Sequence, residues 1–280
     1  MKNNFKYNQN KIECSICKST TSYIFTSKKN KDIFMCNNIS CGHNLTQIFK
    51  AEQGFNLRGD DLEKESDEDL KIFENRNEGL LKIFINYLKD TPKPFKLLDF
   101  GTGNAHVSRT FKKKLKNDCV IYAIEENTVF KDLYSKYGLI QVNNLDNLPE
   151  KVNLIYMIEV LEHVFDPIAV LKKLHKSLKP DGTFFISTPL GKSNEKFTNA
   201  YDEKSHIHFF TKKSLNLALK KSGFTEIKYK FYPQMYPRPV NNNILIQGIY
   251  SVKLFLQILI NKIIPKIFIR HLVGFSKPLL

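Results

Sequence analysis

From residue 95 onward, short apolar runs alternate with amphipathic stretches, and this alternation restricts the fold more than any other feature of the chain. "FKLLDF" (95–100), "CVIYAIE" (119–125), "LIQV" (139–142), "VNLIYMI" (152–158), "TFFIST" (183–188) and "FTEIKYKFY" (224–232) read as strands. Between them, "HVSRTFKKKLK", "TVFKDLYSKYG", "DPIAVLKKLHKSLKPDG" and "TKKSLNLALKKSG" have helical spacing. The third starts with Asp166 as N-cap and Pro167 behind it and leaves through Pro-Asp-Gly, while Gly138 closes the second. Strands alternating with helices predict an α/β domain over 95–232, a Rossmann-like, doubly wound, mostly parallel sheet covered on both faces. The 42% hydrophobic content, with 22 Phe, suffices for such a core. Ahead of it, 51–94 reads as an acidic linker, "DDLEKESDED" (60–69), and one long connecting helix, "EDLKIFENRNEGLLKIFINYLKD".

Residues 1–50 carry a different signal. Cys14 and Cys17 form one close pair, and Cys36 and Cys41 a second, looser one. Two such pairs predict a small zinc ribbon, each pair supplying one knuckle and the four thiolates one closed, structural tetrahedron. His43 is an alternative to Cys41 as fourth ligand. Cys119 sits in an apolar strand pattern and reads as a buried small hydrophobe.

The turn "KLLDFGTGNAH" (96–106) follows the first strand of the α/β region. Ligands of such sheets sit beyond the carboxyl ends of the strands, where Gly101 and Gly103 allow close backbone approach and the next helix presents its N-terminus. The dinucleotide pattern G-x-G-x-x-G needs a glycine at 106, where His106 stands, so NAD is disfavoured. Asp99, two residues ahead of the first glycine, suits a cationic group better than a pyrophosphate. Glu125 ends the second strand, where an acid accepts hydrogen bonds from ribose hydroxyls; Glu126 is the alternative. His206 and His208, two apart in extended chain, share a side, and either is a candidate general base. Tyr201, in the same loop, is a candidate acceptor contact.

"LLDFGTGNA", "AIEENTVF", "NNLDNLPE", "IEVLEHVFDPIAVLKKLHKSLKPDGTFFISTP" and "HIHFFTKKSLNLALKKSGF" stand in the order found in class I S-adenosylmethionine-dependent methyltransferases. More narrowly, the chain resembles the branch of ubiquinone-biosynthesis O-methyltransferases and polysaccharide-cluster enzymes. That resemblance implies that Asp99, Gly101 and Gly103 hold the methionine end of the donor and Glu125 its ribose. It further implies that Asn144 and Leu145 flank the adenine, and that Met157 and Ile158 face the sulfonium. Glu159, Glu162 and His163 match an E-x-x-E-H group that binds a divalent cation in related quinone enzymes, and His163 is thereby a further catalytic candidate. Ala105 stands for the third glycine of the loop, Asn144 for an aspartate at the adenine, and Asn153 for an acid on the fourth strand.

Residues 233–280 read as a basic, amphipathic helical tail, with a helix over 243–264 broken by Pro265. Residues 240–280 contain five Lys/Arg and no acid. Such a tail fits docking on the sheet, a homodimer seam, or an anionic membrane surface. The start of the sequence lacks an apolar leader core, so the expected place is the cytoplasm, with peripheral contact on the inner membrane face. A net charge of +15 favours anionic partners. The function expected is methyl transfer to an oxygen of a sugar, glycan precursor or other small molecule, as in polysaccharide biosynthesis. Two alternatives stand beside it: a zinc-ribbon RNA methyltransferase, and a degenerate methyltransferase fold kept as a binding subunit. RNA is the weaker partner, since no basic–aromatic module and no Asn/Asp-Pro-Pro-Phe/Tyr tetrad occurs.

Overall fold

The computed structural model describes residues 12–46, 67–127, 130–191, 201, 205–229 and 271–278. The ribbon contributes β1 (Thr21–Thr26), β2 (Asp32–Cys36) and β3 (Asn44–Thr46). The long helix α1 (Asp67–Leu88) leads into β4 (Phe95–Phe100), α2 (His106–Leu115), β5 (Cys119–Ile124), α3 (Lys131–Lys136) and β6 (Ile140–Gln141). Then follow β7 (Val152–Ile158), α4 (Pro167–Ser177), β8 (Leu178–Pro189), β9 (His208–Phe209), α5 (Lys212–Lys221), β10 (Phe224–Tyr229) and β11 (His271–Pro278).

Seven strands form the main sheet in the order β10-β11-β8-β7-β4-β5-β6. All its pairings from β8 through β6 are parallel, and β11 runs antiparallel to both its neighbours. Because helices cover both faces, β5 and β7 are apolar on successive residues instead of alternating. On one face Leu98, Ile155, Met157, Phe184 and Ile186 meet Leu171 and Leu174 of α4 and Leu215 and Leu219 of α5. On the other, Leu97, Ile121, Leu154, Tyr156 and Phe185 meet Leu80 and Phe84 of α1 and Phe111 of α2.

Local signals explain the ends. Asp166 accepts a hydrogen bond from the Ala169 amide at 3.0 Å, with Pro167 in the first turn of α4. Leu139 N–H donates to Tyr134 carbonyl at 3.0 Å across Gly138 and ends the α3 turn. The helix expected to exit through Pro180-Asp181-Gly182 ends slightly earlier, at Ser177, and Leu178–Gly182, expected as its exit, already belong to β8. Pro180 accounts for this, since it disfavours a helical residue before it and supplies no amide.

The largest departure lies in the last stretch. Residues 271–278, expected to be part of a helical tail, form β11 and fill the gap between β8 and β10. Their register runs from His271 opposite Pro189 to Ser276 opposite Phe184, and Phe224 faces Pro278 on the other side. The helix expected over 243–264 lies outside the described residues, as do residues 60–66 of the acidic stretch. Among the described residues no helix is long and apolar enough to cross a membrane.

A second, four-stranded sheet has the order β1-β2-β3-β9. Three of its strands come from the ribbon and the fourth from the segment after β8, so ribbon and α/β domain share a sheet.

Candidate active site at the carboxyl ends of the strands

The chain leaves β4 toward β5 and returns to β7 on β4's other side, so the connections diverge and a crevice opens between the strand ends. A cleft of about 510 Å³ lies there, a size suited to a small molecule. Gly101 and Gly103, in the turn from β4 to α2, line it and hold φ of +76° and +49°, which glycine adopts without strain. A Cβ on Gly101 would come within 2.4 Å of Val160 Cγ2, whereas one on Gly103 would meet nothing within 4 Å. Packing therefore demands the first glycine, and the second keeps open space beside the backbone. Ala105 has φ +55°, so the loop keeps its left-handed residue at a cost of about 1–2 kcal/mol.

Two side chains lock this turn. Glu125 Oε2 accepts from the Gly103 amide at 2.8 Å and Oε1 from the Asn127 amide at 3.0 Å. From the other side, the buried Tyr134 hydroxyl donates to the Gly103 carbonyl at 2.8 Å. Burial, with Glu125 and Asp99 nearby, holds that phenol well above its usual range, so it stays a donor.

Asp99 lies behind the loop, not on the cleft wall. Its carboxylate accepts from Ser108 Oγ at 2.6 Å, and Ser108 Oγ lies 2.5 Å from the Tyr156 hydroxyl. Burial pushes its carboxyl up to about 7, against the Ser108 hydrogen bond and helped by the Glu125 charge.

Opposite the loop, β7 ends at Ile158 and turns through Glu159 at φ +55°. The Ser187 hydroxyl donates to the Glu159 carboxylate, and Thr188 Oγ1 donates to Glu162 Oε2 at 2.9 Å, so the end of β8 orients both acids. His163 lines the cleft and donates Nδ1–H to the Ser205 carbonyl at 2.9 Å, which puts its lone pair on Nε2. Glu162 Oε1 lies 3.8 Å from His163 Nε2 and 3.9 Å from His206 Nε2. One ligand atom each from Glu162, His163 and His206 falls within 4.8 Å of the others. Asn144 lines the cleft too, its Oδ1 accepting the Asp146 and Asn147 amides at 2.9 and 3.1 Å.

A family model described as a methyltransferase domain matches residues 72–229, more than half of the chain. The chain belongs to the methyltransferase domain family. It is 30% identical over 101 residues to the ubiquinone biosynthesis O-methyltransferase of Idiomarina loihiensis, a match covering 33% of this chain and 42% of that protein. The chain thus spans under half the length of that curated relative. A methyltransferase from Archaeoglobus fulgidus, described as SAM-dependent, superposes with TM-score 0.50 at 16% identity, covering 73% of this chain and 94% of its own. Human N-acetylserotonin methyltransferase in complex with SAM gives TM-score 0.50 at 11% identity, covering 75% of this chain and 54% of its own. The fold is that of a class I S-adenosylmethionine-dependent methyltransferase.

Within this cleft the structure brings together Gly101, Gly103, Glu125, Asn144, Leu145, Ile158, Glu159 and His163. Met157 is buried in the core instead, as strand alternation requires once Ile158 faces the cleft. His208 is also off the cleft: it is 1% exposed, and burial lowers its ring to about 4. Tyr201 is buried, its hydroxyl accepting from Asn44 Nδ2 at 2.9 Å and its ring against Phe25 and Phe209, so it joins ribbon to domain. The three-residue cluster replaces Glu159 with His206. The sequence reading missed Phe73 of α1, which lines the cleft and packs on His106 at 4.7 Å between centroids; its only signal is an apolar position on the connecting helix. Asn153 ties strands: its Oδ1 accepts the Lys96 amide at 2.8 Å.

Cys14, Cys17, Cys36 and Cys41 place their sulfurs within 4.8 Å of one another, with Cys14–Cys41 at 3.8 Å and Cys17–Cys36 at 3.3 Å. A tetrahedron with Zn–S of about 2.3 Å has S–S edges of about 3.8 Å, so the donor set fits zinc. His43 is turned away from the sulfurs toward Ser214 and His208, which leaves Cys41 as the fourth member.

Proposed function

We propose that this cleft binds S-adenosylmethionine and that the protein methylates an oxygen of a small polar acceptor, a sugar or glycan precursor. The observation that carries the reading is the Gly101–Gly103 turn, braced by Glu125 and Tyr134, with open space beside Gly103. The donor supplies an activated methyl on a sulfonium, so the protein's work is placement and removal of one proton. The open backbone at Gly101 and Gly103 receives the amino-acid end and Glu125 the ribose, Asn144 and Leu145 flank the adenine, and Ile158 stands at the sulfonium. Asp99 acts from behind, holding Ser108 and the start of α2 in place.

On the acceptor side, His163 on the cleft wall and the buried Glu162, with 3.8 Å between Nε2 and Oε1, form the basic pair that draws the hydroxyl proton away. A divalent cation held by Glu162, His163 and His206 is a second reading, favoured by their convergence within 4.8 Å; it would acidify a bound hydroxyl. Zinc in the ribbon has four thiolates and no open position, hence a structural role. The acids and imidazole beside the cleft support a hydroxyl-rich acceptor, while the +15 charge suits a phosphate- or nucleotide-linked one.

Calorimetric titration with S-adenosylhomocysteine tests the donor site. Gly103→Ala should fold, losing about 1–2 kcal/mol for its positive φ, yet bind at least about tenfold more weakly because its methyl intrudes beside the ligand. Absence of binding to the native chain would establish a degenerate fold. With labelled donor and fractionated cell extract, label entering RNA in place of glycan or a small molecule would overturn the acceptor class.

A further inference from the structure

The ribbon does not hang from the methyltransferase domain. Cys14, Ile16, Cys36 and Cys41 belong to the same buried cluster as Phe210, Leu215, Ala218 and Leu219. Lys221 and Lys213 of α5 donate to the knuckle carbonyls of Ile16 and Ile39, at 3.2 and 3.4 Å. One ribbon side chain at this junction is an imidazole. His43, two residues after Cys41, is fully buried. Its Nε2 lies 3.2 Å from His208 Nδ1 and its Nδ1 3.3 Å from Ser214 Oγ, and its ring packs on Phe210 at 4.9 Å.

His208 stands in a short segment laced on both sides. Toward the ribbon, β9 pairs with β3, Thr46 N–H donates to the Ile207 carbonyl at 3.1 Å, and Lys31 Nζ donates to the His206 carbonyl at 2.8 Å. Toward the cleft, Ile207 N–H donates to the Glu162 carbonyl at 2.9 Å and Ser205 accepts from His163. Residues 205–208 therefore connect the ribbon to the acceptor wall. His208 Nδ1 meets two ribbon groups, His43 Nε2 at 3.2 Å and Ser15 Oγ at 3.4 Å, and a buried imidazole is costly without such a partner, so the closer contact favours one arrangement of the segment.

We propose that His43 is a positioning residue for methyl transfer: it passes the placement of the second cysteine knuckle, through His208, to the segment that presents His206 and braces Glu162 and His163. The proposal rests on the acceptor-side reading given above. The donor loop, at the other end of the cleft, does not depend on it.

Hydrogen exchange followed by NMR separates the two sides, with the full chain and its ribbon metal retained. In His43→Leu, which packs but offers no hydrogen bond, exchange at the Ile207 amide should rise at least about tenfold, the loss expected from one buried hydrogen bond. Exchange at the Gly101 and Thr102 amides, which donate to the Ile124 carbonyl, should stay within about twofold, as should affinity for S-adenosylhomocysteine. His43→Gln, whose amide can reach His208 where Nε2 did, should restore protection of Ile207. Unchanged exchange at Ile207 in His43→Leu, an equal rise at Gly101, or no rescue by glutamine would each overturn the proposal. If the leucine variant does not fold, His43→Gln is compared with the shorter His43→Asn. The proposal then requires stronger Ile207 protection in the glutamine variant, and equal protection in both would overturn it. Failure of the native chain to bind S-adenosylhomocysteine would instead strike the donor reading alone.

Discussion

Asp99 shows how little of a side chain's role follows from its place in a motif. Its position before the glycines is legible in the sequence, but its direction is not, because the partners that turn it inward, Ser108 and Tyr156, lie on α2 and β7. Inward placement changes its electrostatics. Its carboxyl rises from 3.8 to about 7 through burial, so between those values the folded chain retains a proton that the unfolded chain has released. Its contribution to stability is therefore most favourable at low pH, falls as pH rises through that window, and levels off above it. Asp99→Asn removes this dependence. Relative to the native chain, the variant should gain on the order of 3 kcal/mol between pH 5 and pH 8, read from urea denaturation at both values. An unchanged difference would mean that Ser108 and Tyr156 keep the carboxylate ionised throughout. Gly101 and Gly103 were legible with their reasons, since few side chains tolerate such backbone angles. Ala105 was legible as a substitution, and its positive φ shows that the neighbouring bonds, not residue type, impose the conformation.

At the scale of elements, strands with both faces covered announce themselves by continuous apolar residues, and helices by caps such as Asp166–Pro167 and Thr211. Hence β4, β5, β7, α2, α4 and α5 could be placed from sequence alone. β11 could not. Its sequence, "HLVGFSKP", is short and basic at its start, and the edges that make it a strand belong to β8 and β10, the latter some forty residues earlier. β9 escaped notice similarly, because two residues carry no period and its partner lies in the ribbon. The structure assigns β11 a large share of the fold: a chain cut after residue 270 leaves β8 and β10 each with an unpaired edge. Such a chain should lose several kcal/mol, comparable with the whole margin of a typical domain, and show rapid proteolysis within β8. A cooperative melt unchanged from the full chain would refute β11's place in the sheet. Removing the tail to test membrane contact must therefore spare residues 271–278.

For the whole molecule, the shared sheet and shared core join the ribbon and the methyltransferase domain into one unit. Spacing identified the four cysteines, but no sequence pattern says whether a ribbon is tethered or embedded; that depends on Phe210, Leu215 and Leu219 meeting it across most of the chain's length. If the four cysteines hold zinc, Cys36→Ser should accordingly shift the entire unfolding transition downward, by on the order of 10 °C. Scanning calorimetry should show one peak in both proteins. Two peaks, with the larger at the native temperature, would mean that the ribbon melts alone. A ribosome translating this chain releases β8 and β10 well before residues 271–278, so the nascent sheet carries a slot between them with open strand edges on either side. For that interval the growing protein is a template for the wrong strand, from itself or a neighbouring polysome, and its yield in a cell will depend on how quickly holdase chaperones cover the slot.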